Sequence, residues 1–314
     1  MRPARFGAAS AAALAVGVLE LLATPSARGQ ACCSGSGAVT PGRLALHEAA
    51  LVGLQTKQAA APGSYDDHGA YVPSPPGARE IDLEQDVFAA ARWLGRGQAA
   101  LLVPILETWR SSLGRSEVGG GIGDINASAR YDFTIAGASR FIPGVALLGG
   151  LTLPTGRPAD APGVGALATG ATGIGAYQVN AGVAVEQLFG AFLVNATGLF
   201  AARTARSVGS GATAVHERLA PQGTALAAVA YTFANDVAVA LSGSYSFEGD
   251  ATLDGVQSAG TSRKLLTLSV SGVAPLGDVW RLQGAVLDNP PLSQAGMNQP
   301  SDVGLSLTLV RSWF

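Results

Sequence analysis

From Asp124 to Phe133 the chain sorts by odd and even position. Ile125, Ala127, Ala129, Tyr131 and Phe133 are apolar or aromatic, and Asp124, Asn126, Ser128, Arg130 and Asp132 are polar or charged. Successive side chains of an extended strand point to opposite faces, so this spacing predicts a strand with one apolar and one polar face. The pattern recurs. Tyr177, Val179, Ala181, Val183 and Val185 alternate with Gln178, Asn180, Gly182, Ala184 and Glu186, and Leu266, Leu268 and Val270 with Thr267, Ser269 and Ser271. Over 237–248, Val237, Val239, Leu241, Tyr245 and Phe247 alternate mainly with serines. Over 80–88, Ile81, Leu83 and Val87 alternate with Glu80, Asp82, Glu84 and Asp86. With the weaker segments filled in, twelve strands are predicted, at 48–57, 80–93, 98–110, 121–133, 141–153, 173–188, 191–203, 223–233, 237–248, 263–273, 279–288 and 302–314. The third, which carries Pro104, and the seventh are the least regular.

The connections alternate between long (58–79, 111–120, 154–172, 204–222, 249–262, 289–301) and short (94–97, 134–140, 189–190, 234–236, 274–278). Outer-membrane barrels have an even strand count, short periplasmic turns and long external loops. Trp93, Tyr131, Phe133, Phe141, Phe189, Phe192, Tyr231, Phe233, Trp280, Trp313 and Phe314 fall at the short-turn ends. Trp109, Tyr177, Phe200, Tyr245 and Phe247 fall toward the long loops. Two such belts suit the two headgroup levels of a bilayer. A soluble sandwich also alternates, but it leaves the long/short rhythm unexplained.

Composition strengthens the membrane reading. Charged residues are 13% of the 314, and the mean hydropathy is +0.29. The N-terminus reads as an export signal: Arg2 and Arg5, an apolar run from Phe6 to Ala23, then TPSARGQA, with cleavage expected after Ala31. Lipidation of Cys32 is the rival reading, with Gly29 standing where a Leu-like residue is usual. No later segment has the roughly eighteen unbroken apolar residues of a spanning helix; 223–243, the best candidate, is broken by Asn235 and Asp236. Strands that cross a bilayer must close into a barrel so that no backbone polar group is left unpaired. The expected organisation is a signal peptide (1–31), a mobile periplasmic leader (32–47) and an all-β, antiparallel up-and-down transmembrane barrel (48–314) in a Gram-negative outer membrane. A net charge of −2 without a basic patch argues against nucleic acid as a partner.

Two neighbouring segments, GGGIGDINASARYDF and VALLGGLTLPTGRP, resemble the outer-membrane transporter family named after the meta-pathway of phenol degradation. The likeness lies in Gly121, Gly123, Asp124, Arg130 and Tyr131, then Leu151, Leu153, Pro154, Thr155 and Gly156. It covers about forty residues. Phe314 looks like the aromatic C-terminus read by the barrel-assembly machinery, although it falls out of phase with Leu305, Leu307, Leu309 and Trp313, and a bulge near Arg311 would reconcile the two. The resemblance implies passive passage of small, often aromatic or hydrophobic compounds and assigns no substrate residue.

On the polar faces, Asp82, Glu84, Asp86, Asp124, Asn126, Arg130, Asp132, Glu186, Arg203 and Arg281 are the candidate lumen-lining residues. They fit a charged constriction that biases which solutes enter, or a network of Arg–carboxylate pairs that fills a narrow barrel. Enzymatic chemistry finds little support. His47, His68 and His216 all lie outside the predicted strands, whereas a lipid-cleaving barrel needs a Ser–His arrangement on its wall. His47–Glu48 is expected to be a solvated periplasmic pair. Adjacent Cys32 and Cys33 suit disulfides in an oxidising compartment better than a metal site. In GVGALATGATGIG, Ala171 stands where a phosphate-binding loop has lysine, so the run is expected to be a flexible external loop. Asp250 and Asp254 are too sparse for a calcium site. No cofactor is expected. The partners are the bilayer, a small solute and, through Phe314, the assembly machinery. The sequence predicts a diffusion channel, with a closed structural or surface-interaction barrel as the alternative.

Overall fold

A computed structural model describes residues 43–209 and 214–314 of the chain. The expected signal peptide and Cys32–Cys33 lie outside the described residues. Twelve strands form the wall: β1 (Ala50–Tyr65), β2 (Arg79–Trp93), β3 (Gly97–Ser112), β4 (Ile125–Thr134), β5 (Gly144–Leu153), β6 (Gln178–Phe189), β7 (Phe192–Arg203), β8 (Gln222–Thr232), β9 (Ala238–Glu248), β10 (Arg263–Pro275), β11 (Trp280–Asp288) and β12 (Gln299–Trp313). Each pairs antiparallel with its neighbours in sequence, and β1 pairs with β12 from Ala50↔Trp313 outward, which closes the ring.

The two faces separate as the alternation requires. Along β12, Leu305 and Leu307 are 61% and 56% exposed, whereas the alternating Ser306 and Thr308 are buried. A hydroxyl inside and leucine outside invert the order of a soluble protein. The inversion identifies the outer solvent as hydrocarbon.

Differences from the sequence reading are local. The first strand runs on to Tyr65 instead of stopping at 57, through AAAPGSY, where no alternation marks it. Its register against β12 shifts between Ala60 and Gly63, around Pro62. The predicted strand 121–133 is broken. Arg115–Ile122 pairs with the outer half of β3 and β4 with its inner half, with one extra residue between Ile122 and Asn126 opposite Leu102–Ile105. The break faces Pro104, which has no N–H to give, and Gly123 N instead donates to Pro104 O. Arg206–Val208, Val215–Arg218, Thr252–Leu253 and Val256–Gln257, read from sequence as loop, form a small separate sheet joining the loops after β7 and β9.

At the short-turn end, aromatic rings pack edge to face as Tyr131 with Phe133 and as Phe192, Tyr231 and Phe233 in series. Arg311 lies over Trp280 and Trp313. Pairing is continuous past Arg311, so no bulge brings Phe314 into the outward phase. Its ring stacks on His47, with centroids 5.2 Å apart.

Candidate functional site

Inward-phase residues sort by depth. Near the long loops lies a charged wall built by β1, β2 and β3. Lys57 Nζ reaches Asp86 Oδ2 at 2.7 Å and Glu84 Oε1 at 3.1 Å. Thr108 Oγ1 donates to Asp82 at 2.6 Å, and Arg110 donates twice to Glu80. Lys57 and Arg110 supply the wall's positive charge; the sequence pattern does not mark Lys57, because polar residues occupy both phases of QTKQ. Across the ring, Arg203 donates to Gln178, Glu248 and Gln222 at 2.5–2.6 Å.

Deeper in, the character changes. Leu51, Phe88, Ala90 and Val310 form a buried apolar cluster joined by Leu44 from the leader, with Ala100 and Leu102 packed against it. Along β2 the inward positions therefore read Glu80, Asp82, Glu84, Asp86 and then Phe88 and Ala90. Charge gives way to hydrocarbon within one strand.

At the short-turn mouth the chain before β1 crosses the opening. Arg43 Nη2 contacts Glu186 on β6 at 2.5 Å, and Glu48 pairs with Arg281 on β11. Those strands lie on opposite sides of the ring. Between the two pairs, Leu44 N donates to Gln98 at 3.1 Å, and Arg92 donates to the carbonyls of Ala45 (2.6 Å) and Glu48 (2.8 Å). The end of the leader expected to be mobile is thus a strap, Arg43–Ala49, with Leu44 and Ala45 buried. The expected solvated His47–Glu48 pair is corrected too. Glu48 is buried on Arg281, because an unpaired carboxylate at this depth would be costly, and His47 turns to Phe314.

Arg130 bridges Asp132 (2.8 Å) and Glu186 (3.2 Å), and Asn195 Nδ2 donates to the same Glu186 oxygen, Oε1, leaving Oε2 to Arg43. Asn126 donates to Thr152 at 3.0 Å. Asp124 does something different. Its two oxygens accept the N–H groups of Gly156 (2.9 Å) and Ile174 (2.7 Å), and Thr155 Oγ1 donates to Gly123 O. The residues GIGD and LPTG therefore meet, and together they fix the loop 154–177. The glycine-rich part of that loop is not free. Val164, Thr169 and Thr172 are buried, Leu167 N donates to Glu117, and Leu167 O accepts from inward Arg110. A Cβ on Gly119 would lie 2.6 Å from the Thr169 carbonyl carbon, so the close approach of the loop requires glycine there.

All ten candidates thus have positions in the fold. Eight engage side chains across or along the wall, Arg281 engages Glu48 of the strap, and Asp124 engages loop backbone. In the external turn after β1, the N–H of Ala70, with those of His68 and Gly69, holds the Asp66 carboxyl below its ordinary value of 3.8.

No family model matches the sequence, and no curated protein matches it. Solved structures do share the fold. An outer-membrane channel from Pseudomonas putida F1 superposes with a TM-score of 0.70 at 16% identity, over 85% of this chain and 96% of that one. The translocator domain of the autotransporter NalP from Neisseria meningitidis gives 0.52 at 13% identity, over 97% of each chain. The chain has the fold of the Gram-negative outer-membrane β-barrels, and it is placed in that membrane.

Proposed function

We propose that the protein is an outer-membrane channel for passive transfer of small molecules, hydrophobic and aromatic ones among them. The reading rests on the inward face of β2, where a charged wall (Glu80 to Asp86) leads into an apolar constriction around Phe88. Polar groups at the outer end receive a hydrated solute, and the apolar stretch favours one that sheds water readily. A barrel filled only for stability needs no such gradient. The P. putida channel, sharing the fold, supports the reading, as does the likeness of GIGD and LPTG to the phenol-pathway transporters. Transfer down a concentration gradient needs no cofactor, and Asp82, Glu84, Asp86, Arg130 and Glu186 line the path. Phe314 offers the assembly machinery its exposed C-terminal ring.

A second reading, a structural barrel with a closed lumen, is favoured by the strap across the mouth and by the pairing of the inward charges. Planar-bilayer recordings separate the two. A channel gives open steps, more often when residues 43–47 are deleted. Silence of both folded proteins supports the closed barrel.

A further inference from the structure

Charge on the wall near the long loops is not balanced. Arg110 answers Glu80, and the single Lys57 nitrogen is shared by Glu84 and Asp86. Asp82 has only the Thr108 hydroxyl. Asp302, inward on β12, has no hydrogen-bond or cationic partner among the described residues. The charges that act on it are those of Asp82 and Glu80, both negative. Where this wall meets the apolar cluster, Gln55 and Asp86 stand opposite each other on β1 and β2. Both are 0% exposed. Gln55 Nε2 donates to Thr308 Oγ1 at 2.8 Å, but Gln55 Oε1 and Asp86 Oδ1 have no hydrogen-bond partner among the described residues. Buried polar atoms nearly always have one. Two neighbouring acceptors therefore lack a donor.

We propose that this seam is a luminal subsite for a small organic ammonium ion. The proposal rests on the channel reading and adds a substrate class to it. Lys57 shows the chemistry of the seat, for its own ammonium lies 3.1 Å from Glu84 and 2.7 Å from Asp86. A primary ammonium carries three N–H donors. In the place of Lys57 it binds Glu84 and Asp86 and gives a remaining N–H to Gln55 Oε1; the space it needs is the space Lys57 vacates. Among the described residues no three His, Cys, Asp or Glu side chains converge as a metal site requires. The donor set thus suits an N–H cation and not a divalent metal. Lys57 has somewhere to go. Glu84 is directly opposite it, and Asp86 and Asp82 are its two diagonal neighbours on β2. A long side chain reaches either diagonal. Lys57 takes the Asp86 side, and its flexible stem carries it equally to Asp82, which has no cation. An ammonium ion arriving from outside past Asp302 and Asp82 exchanges places with Lys57, and neither is left without a carboxylate. Below the seat the Phe88 ring covers Gly53 so closely that a Cβ has no room there, and it gives the ion's alkyl group an apolar contact.

Lys57 and Lys264 are the only lysines in the chain, which places a reporter at the site. Full-length protein is labelled with carbon-13 at the lysine ε-carbons in nanodiscs of phosphatidylcholine, and Lys264→Arg assigns the two NMR signals. Ethylammonium is the probe. Tetramethylammonium, of equal charge but without N–H, is its control. At constant pH and ionic strength the Lys57 signal should shift and saturate with ethylammonium while that of Lys264 stays still. Tetramethylammonium on the parent, and ethylammonium on Gln55→Leu, should each need a roughly tenfold higher half-point, the worth of one hydrogen bond to a charged group. Gln55→Glu keeps the acceptor and should not raise it. Equal half-points for the two cations, or for Gln55→Leu and parent, would overturn the proposal by showing diffuse screening in place of a seat. A Lys57 signal unmoved by ethylammonium in folded protein contradicts it as well. Conductance in planar bilayers is read separately. Its absence beside a saturating Lys57 response removes the channel reading and keeps the subsite, and conductance beside a silent Lys57 signal removes the subsite alone.

Discussion

Glu186 is the residue on which the mouth depends most. It receives Arg43, Arg130 and Asn195 together while its side chain is 4% exposed. Removing one partner of a buried ion pair costs about 3–5 kcal/mol, because the other charge is stranded. Glu186→Ala is expected to lose about 3 kcal/mol, measured as a lower urea midpoint for unfolding in detergent. Glu186→Gln should lose less, since it still accepts from Arg43. The solvated Ser128, inward but exposed, should tolerate Ala with little change by the same measurement. The sequence marks Glu186, Arg130 and Arg281 by their phase. It does not mark Arg43, which lies before the first strand in a stretch with no period, and it reads Glu48 only as half of a solvated pair with His47. Their role follows from topology alone, since only the closed ring brings β6 and β11 to either side of the strap.

At the level of elements, the loop 154–177 illustrates how a motif can be read correctly and interpreted too simply. The alternation placed Asp124 on the polar face, and the structure keeps it there, but its carboxylate serves two loop amides. Asp124→Asn removes charge from both bonds and presents an N–H to one of the donors. It should loosen the loop by about 1–3 kcal/mol, seen as faster hydrogen exchange of the Gly156 and Ile174 amides with the barrel intact. The loop's order was not legible because glycine runs carry no hydrophobic period; it comes from Glu117, Arg110 and the absence of side chains at Gly119. Strand ends were legible to a few residues wherever apolar and polar residues alternate. They failed at 58–65 and at 123–124, where Ala, Pro and Gly leave no phase. The external turn at Asp66 makes a pH prediction. Its carboxyl is held below 3.8, so its contribution is complete above 3.8 and fades as pH falls through the lower folded value. Exchange of the Ala70 amide should accelerate over that acidic range and stay flat above it at constant intrinsic rate.

For the whole molecule, strand number, order and orientation were all implicit in two rhythms, side-chain period and loop length. Both reflect one cause, a bilayer about as thick as a ten-residue tilted strand. What the rhythms do not encode is the filling of the ring, where Phe88, Leu51, Val310 and Leu44 meet from four different segments. The proposed solute path follows from that filling.

The most direct test of the account is a nitroxide scan from Val303 to Ser312 on β12 in reconstituted bilayers, with the two native cysteines replaced. Collision with oxygen should peak at 303, 305, 307 and 309, and collision with a water-soluble nickel chelate should not. Both should stay low at 306 and 308, which face the interior. A scan without a two-residue period, or with the chelate reaching the leucine positions, would contradict a barrel that turns its hydrocarbon outward and its polar groups within.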